Sequence, residues 1–582
     1  MKEHLMGLRS KVFASRDIYK LGLIFGTIYF VQAAGNLPGL PMSFIVKNIL
    51  KLSASQAQYF FTVASLAWVI KPLWGYLSDN YPIFGYRRKS YLVGMSLIAS
   101  SAWFLMAYYS FIGTYGYYNL LFIFLISGAA YAFVDVVCDG LMTKNSVGKD
   151  GKDLADRFVN LQWLGGAFAG IVISYAYMTG LLPSEVKEQG KIIDICIRSY
   201  CYHGPMVTVV FFLAGFAPLM TLSVVTVFLK EERVKSVAWH KLAGILVLIG
   251  ASFYVFVNWV YPFYMSFAVD LRIASIFAVY ILLAVFLWKY VGRPKYYWTL
   301  IIFMFLWQYS PSVGTAMFYY KVDVLKFSGS FIATLGLISA IAGACGILLY
   351  SFVRESLRSL NYRFYLYFAV FLGGIGLLVQ ILYLLPPGTK ILGFPLNFYT
   401  IAISSDIFFS VLGASAVLIP LAVSAKVARE TEHPAILYAW FMSVYNFASM
   451  MSELTGATML DHLEASDLKS VIVSTEPFAI AVWALSAIVF AWGIENMVLK
   501  EKTAGKFFRI WLLFLLLGSA SVFLMLSAGV TFPSTLLLGD GAFLGNDANR
   551  VLILRLFVYI SAFFTFLAIP VVRFCRLPEG RE

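Results

Sequence analysis

The chain has 582 residues, of which 60% are hydrophobic and only 13% charged, with a formal net charge of +14 and a mean hydropathy of +0.80. That balance excludes a soluble globular domain and points to a polytopic membrane protein. The basic residues are scattered over many loops, which argues against nucleic-acid binding as the origin of the charge.

Apolar runs near or above the roughly 18 residues that cross about 30 Å of hydrocarbon predict helical spans. In chain order they cover 18–38, 56–77, 90–110, 119–141, 159–181, 206–229, 240–262, 272–291, 297–320, 330–353, 363–385, 398–424, 435–460, 477–499, 508–530 and 551–573. Strict polar–apolar alternation, the mark of a membrane β-barrel, is missing from these runs. The expectation is an all-α polytopic protein of about sixteen spans. An even count leaves both ends on one side, and the Lys and Arg of "YRRKS" (86–90), "KNSVGKDGKDLADR" (144–157), "KEERVK" (230–235) and "KEKTAGKFFR" (500–509) make that side cytoplasmic. The first span follows a basic leader but is long and lacks a small-residue cleavage site, so it reads as retained. The expected location is the plasma membrane, in a bacterium the inner membrane.

An internal repeat organises the spans. "LKLSAS" (50–55) and "LKFSGS" (325–330) nearly match, and "GYRRKSYL" (85–92) and "NYRFYLYF" (361–368) match at almost the same offset, with Asp79 opposite Glu355. The reading is a parallel duplication about an axis along the membrane normal. It gives a six-helix bundle in 1–235, an inserted transmembrane hairpin in 236–296, a second six-helix bundle in 297–500, and two further spans with a short tail in 501–582.

Charges inside hydrocarbon cost several kcal/mol unless paired or facing water, so the few that fall there are informative. In "YAFVDVVCDGLM", Asp135 and Asp139 share a helix face. Lys71, in "WVIKPLWGYLSD", falls at nearly the same depth and is the only basic residue placed well inside a core span. Lys71 is expected to pair with one of the two aspartates, either as a protonation or gating couple or as a static ion pair. In "SVYNFASMMSELTGA", Glu453 and Asn446 share a similar face, and Glu453 suits proton coupling, substrate contact or structural hydrogen bonding. Asp406 reads as an interfacial residue. Gln32 and Asn36 lie in a span weakened by Gly35, Pro38, Gly39 and Pro41, and Gln308 in "WQYSPSVG" lies in a similar one. Gln162, beside Trp163, suits a flat polar ligand or helix packing equally. Gly166 and Gly170 form a GxxxG and read as close helix packing.

Enzyme chemistry has no sequence support. The five histidines form no metal spacing, "GKDGKD" is not a phosphate loop, and no cofactor site or ATPase domain is visible. Cys196 and Cys201, in one predicted outer loop, either pair or stand as free thiols.

The stretch "KPLWGYLSDNYPIFGYRRKSYL" (71–92) carries the signature loop of the major facilitator superfamily. Its wording resembles the folate-biopterin transporter family, as do "LKLSASQAQ", "WQYSPSVGTAMFYY" followed by "LKFSGSF", and "LYAWFMSVYNFASMMSELTGA". The resemblance covers roughly residues 20–500 outside the inserted hairpin. It implies a proton-linked carrier of folates, pterins or a related metabolite, working by alternating access. By the same resemblance Gly75, Asp79, Arg87 and Arg88, with Lys71, belong to a gating loop, and Asp135, Asp139 and Glu453 stand where the family places acids. Two other cargoes fit this superfamily, S-adenosylmethionine and muropeptides. A non-transporting receptor or scaffold is the reading from another class, and costly intramembrane charge argues against it.

Overall fold

The computed structural model describes residues 19–145, 155–186, 192–197, 200–234, 239–267, 295–356, 362–385, 390–391, 394–395, 397–429, 434–464, 548–566 and 568–572, with positions 271 and 278. The first span, Tyr19–Ile49 (α1), is interrupted at residues 35–38 and ends in a π turn over Ile45–Ile49. Gly35, at the interruption, lies against Tyr131, where a Cβ would come within 2.6 Å of Tyr131 Cζ. Next come three short helices, α2 (Ala54–Ala64), α3 (Leu66–Val69) and α4 (Lys71–Asn80), the last with Pro72 in its first turn. Then follow α5 (Lys89–Phe111), α6 (Tyr117–Asn145) and α7 (Ala155–Met178). A hairpin of β1 (Ile192–Ile197) and β2 (Tyr200–Pro205) aligns the backbones of Cys196 and Cys201 and leads into α8 (Met206–Phe228).

Beyond α8 run α9 (Trp239–Val255), a π turn and α10 (Tyr261–Met265). The second half begins with α11 (Lys295–Gln308) and α12 (Gly314–Asp323), separated by an irregular stretch, then α13 (Gly329–Ser356) and α14 (Tyr362–Val379). A two-residue ladder of β3 (Lys390–Ile391) and β4 (Phe394–Pro395) precedes α15 (Phe398–Arg429) and α16 (Pro434–Glu464). The described chain closes with α17 (Ala548–Phe566) and α18 (Ile569–Val572).

The count of about sixteen spans does not stand. Among the described residues eight helices are long and apolar enough to cross a membrane: α1, α5, α6, α7, α8, α13, and the segments Leu366–Leu384 and Phe398–Ala425 within and beyond α14 and within α15. The expectation fails for a physical reason. A hydropathy window averages over helix breaks, so 56–77 and 297–320 read as single spans although each is divided. Expected spans 477–499 and 508–530, and 272–291 apart from residue 278, lie outside the described residues.

The repeat has a structural basis at the two matching hexapeptides. Lys51 and Lys326 both adopt left-handed backbone, φ 54° and 57°. Ser53 Oγ accepts the Gln56 N–H at 3.2 Å and Ser328 Oγ accepts the Phe331 N–H at 3.2 Å, each capping the helix that follows. Just before them, the Leu52 N–H donates to Val46 O at 3.1 Å and the Phe327 N–H to Lys321 O at 2.9 Å. The two turns are the same structure, which explains why their sequences agree.

The halves meet through two equivalent contacts. α16 packs on α2, α3, α4 and α6, while α7 packs on α13; the repeat exchanges these helix sets. Close approach comes from small residues. A Cβ on Gly170 would lie 3.2 Å from Ala340 Cβ on α13, whereas Gly166 faces Ala33 on α1, so the two glycines of the GxxxG serve different neighbours. Within the halves α5 runs along α8, and α14 runs along α15 and α17. The C-terminal helix α17 is thus built into the second half, where it also meets α11 and α16.

Candidate functional site: two buried carboxylate clusters and a cavity

The first cluster forms where α4 crosses α6. Lys71 opens α4 and points at α6, and its Nζ lies 2.5 Å from Asp135 Oδ2, with both side chains nearly inaccessible at 6% and 3% exposure. The ammonium also sits 5.0 Å from the centre of the Trp68 ring. Asp139, one helical turn on, is buried as well. Its Oδ1 accepts hydrogen bonds from Tyr29 Oη at 3.1 Å and Gln162 Nε2 at 3.2 Å, which brings in α1 and α7. One ammonium thus pairs with one of two neighbouring buried carboxylates, and the other is held by neutral donors. Tyr438 of α16 is buried within electrostatic range of both aspartates, and α16 packs on α4 and α6.

The second cluster surrounds the break between α11 and α12. Pro311 ends the helical hydrogen bonding of α11, and the freed peptide groups need other partners in hydrocarbon. They find them on three helices. The Ser312 N–H donates to Ser452 O at 3.0 Å, Ser452 Oγ to Ser310 O, and Ser561 Oγ of α17 to Pro311 O. Gln58 of α2 donates to Ser312 O at 3.0 Å and to Glu453 O at 2.9 Å. Ser312 Oγ donates to Glu453 Oε1 at 2.8 Å, so the carboxylate is held by the broken segment itself. Gly456 permits this packing, because a Cβ there would fall 2.7 Å from Gln58 Nε2.

A cavity of about 770 Å³ opens beside this break, lined by the helices of the second half. Its polar lining includes Gln308, Gln380, Lys321, Asp406 and Glu453. The volume suits a drug-sized metabolite.

The sequence-selected residues therefore divide. Lys71, Asp135, Asp139 and Gln162 come together in the first cluster; Gln308 and Glu453 line the cavity. Asn446 lies on α16 between the two, with its Nδ2 3.4 Å from Trp68 O. Gln32 has a buried Oε1 without a hydrogen-bond partner among the described residues, and Asn36 is exposed in the turn of α1. In the loop between α4 and α5, Arg88 Nη2 lies 3.8 Å from Asp79 Oδ1. Gly75 lies at the crossing with α6 and α16, where a Cβ would meet Val136 Cγ1 at 3.4 Å. Glu231 accepts the backbone N–H groups of Arg87, Arg88 and Lys89 at 2.8 to 3.2 Å and so caps α5.

Several residues here escape sequence reasoning. Tyr29, Gln58, Ser312 and Tyr438 are ordinary in span sequences and gain meaning only from their partners. Lys321 falls one residue beyond the expected span 297–320, and Asp406, which reads from the sequence as interfacial, joins it in lining the cavity.

The BT1 family matches residues 33–504. A Synechocystis protein described as a folate-biopterin transporter is 25% identical over 441 residues, which is 76% of this chain and 75% of that one. The Plasmodium falciparum folate transporter 1 is 22% identical over 346 residues, 57% of this chain and 53% of its own. An Arabidopsis thaliana probable folate-biopterin transporter 5 is 34% identical over 148 residues, 25% and 29% of the two chains. Among solved structures, a POT family transporter in complex with 5-aminolevulinic acid superposes with a TM-score of 0.54 at 11% identity, covering 77% of this chain and 91% of that one. That likeness shows the fold. With the family matched over most of the chain, this multi-pass membrane protein belongs to the BT1 family and carries small molecules across a membrane.

Proposed function

We propose that the chain is a proton-coupled secondary carrier of folate- or pterin-like metabolites, in a plasma (or bacterial inner) membrane with both termini cytoplasmic. The observation that supports it best is the pair of buried carboxylate clusters joined by one helix. α16 carries Tyr438 within electrostatic range of Asp135 and Asp139, and Glu453 at the α11–α12 break. The fifteen residue steps from one to the other span about 22 Å at 1.5 Å per residue. Charge arithmetic gives the clusters their role. In the first, a proton on Asp139 leaves one carboxylate for the one ammonium, and losing it leaves an uncompensated buried charge, so proton binding biases the packing of α4 and α6 against α16. Glu453 makes the same link at the cavity, where a proton would add a donor that can meet cargo while the other oxygen still accepts from Ser312.

Alternating access would use the two equivalent contacts between the halves. Near one end they are latched by Lys47 to Asp323 at 2.7 Å, Glu185 Oε1 to the Gly329 N–H at 2.6 Å, and Tyr319 Oη to Leu52 O at 3.1 Å. Opening there would break these bonds, while Gly75, Asp79, Arg87 and Arg88 guide the loop between α4 and α5. The names of the relatives supply the cargo class. A flat pteridine has hydrogen-bonding edges that Gln308, Gln380 and Glu453 match.

The test is uptake of a labelled simple pterin into sealed vesicles under an inward proton gradient, with folate, S-adenosylmethionine and a muropeptide as competitors. Competition by folate alone supports the reading. Competition by one of the other two alone reassigns the cargo.

A further inference from the structure

Lys321 carries a charge that the turn it belongs to does not need. It lies seven residues, about 10 Å, along α12 from Gly314 and lines the cavity. Its main-chain carbonyl accepts the Phe327 N–H, and the equivalent bond in the first half is accepted by Val46. Val46 is fully buried and apolar. The same turn is therefore built with valine in one half and lysine in the other, so backbone geometry does not call for a charge at this position.

The ammonium is poised toward the cavity. It stands 4.3 Å from the centre of the Tyr383 ring, and no carboxylate lies within 4.0 Å of it among the described residues. Tyr383 is itself fixed, its hydroxyl 3.1 Å from Ser405 Oγ and its carbonyl accepting from Tyr320 Oη at 3.2 Å. Asp406, on the facing helix α15, lines the same cavity, interacts electrostatically with Lys321 and accepts a hydrogen bond from the Ser339 hydroxyl. A cation and an anion that share a cavity without a direct ion pair match a ligand bearing both a negative group and an N–H donor. A dicarboxylate without such a donor would leave Asp406 facing like charge.

We infer that Lys321 and Asp406 form a subsite for an N–H-bearing nitrogen one carbon from a carboxylate, with the carboxylate on Lys321 and the N–H on Asp406. Two kinds of solute carry this unit: a free α-amino acid head, whose nitrogen is an ammonium, and an N-acylated amino acid, whose nitrogen is an amide. This deepens the carrier reading and rests on it for the route by which cargo reaches the cavity. A flat ring placed toward Gln308 and Glu453 would leave such a tail at Lys321.

The test uses the purified full-length protein in nanodiscs. Equilibrium binding is measured for p-aminobenzoyl-L-glutamate, for L-glutamate and for a pterin without a tail. Wild type, Lys321→Val, Lys321→Arg and Asp406→Asn are compared. The expected result is that Lys321→Val, which copies the first half, shifts the ratio of tail-probe to pterin affinity by about tenfold or more, the scale of one charge-assisted hydrogen bond. Lys321→Arg should keep most of that ratio and Asp406→Asn should reduce it. Preference for p-aminobenzoyl-L-glutamate assigns the amide source, and preference for L-glutamate the free amino acid. An unchanged ratio in Lys321→Val, or no binding of either tail probe to wild type, overturns the inference. Failure of the carrier reading looks different: wild type would bind the probes with the same ratio but take up no cargo under a proton gradient.

Discussion

Lys71 Nζ and Asp135 Oδ2 are 2.5 Å apart where α4 crosses α6, and Asp139 is buried one helical turn further along α6. Removing one member of this pair strands a charge. Lys71→Ala or Asp135→Ala alone should cost about 3–5 kcal/mol, while the double change to apolar residues of similar volume should recover most of that loss. Denaturation of the purified protein, analysed as a double-mutant cycle, measures it. Independent, additive losses would show that the contact is not an energetic pair.

Asp139 has a separate task from Asp135. Asp139→Asn keeps the shape and hydrogen-bonding capacity that Tyr29 and Gln162 meet, so folding should be nearly unchanged. Uptake driven by a proton gradient should fall by roughly the 10²-fold or more expected when a proton-transfer group is removed. Exchange of labelled for unlabelled cargo, which needs no net proton movement, should persist. Loss of exchange together with uptake would make Asp139 a structural or cargo-binding residue.

The repeat gives a matched pair of stability tests. Ser53→Ala and Ser328→Ala each remove an N-cap that accepts a helix N–H at 3.2 Å. Each should destabilise by about 1 kcal/mol, and by similar amounts because the turns are alike. Thermal melting of the two variants against wild type provides the check.

Gly456 tests the packing around the broken helix. Gly456→Ala would press a methyl group onto Gln58 and the Ser312 carbonyl, displacing the segment that holds Glu453. The expected outcome is a lowered melting temperature with weaker cargo binding. Gly94→Ala, where nothing lies within 4 Å of the added carbon, should change neither.

How much of this was legible in the sequence follows from the physics of each element. Lys71 and Asp135 could be picked out because a charge in hydrocarbon needs a partner and few charges were available. The repeated hexapeptides could be found because capping and left-handed turns restrict residue choice. The number of spans could not, since hydropathy is blind to the break at 309–313 and to the joints among α2, α3 and α4. Nor could Glu453's partners, because Gln58 and Ser312 become distinctive only when helices remote in sequence meet. Lys321 stands out only when α12 is seen to run on to Asp323, past the end of the apolar run.

The central claim is that proton binding at buried carboxylates drives movement of cargo. Its most direct test is uptake of labelled folate and of a simple pterin into proteoliposomes of wild type and Glu453→Gln, with and without an inward proton gradient. The account predicts gradient-stimulated uptake by wild type and no gradient stimulation in Glu453→Gln, whose amide still meets Ser312. Equal stimulation of both proteins, or uptake indifferent to the gradient in sealed vesicles, would contradict it.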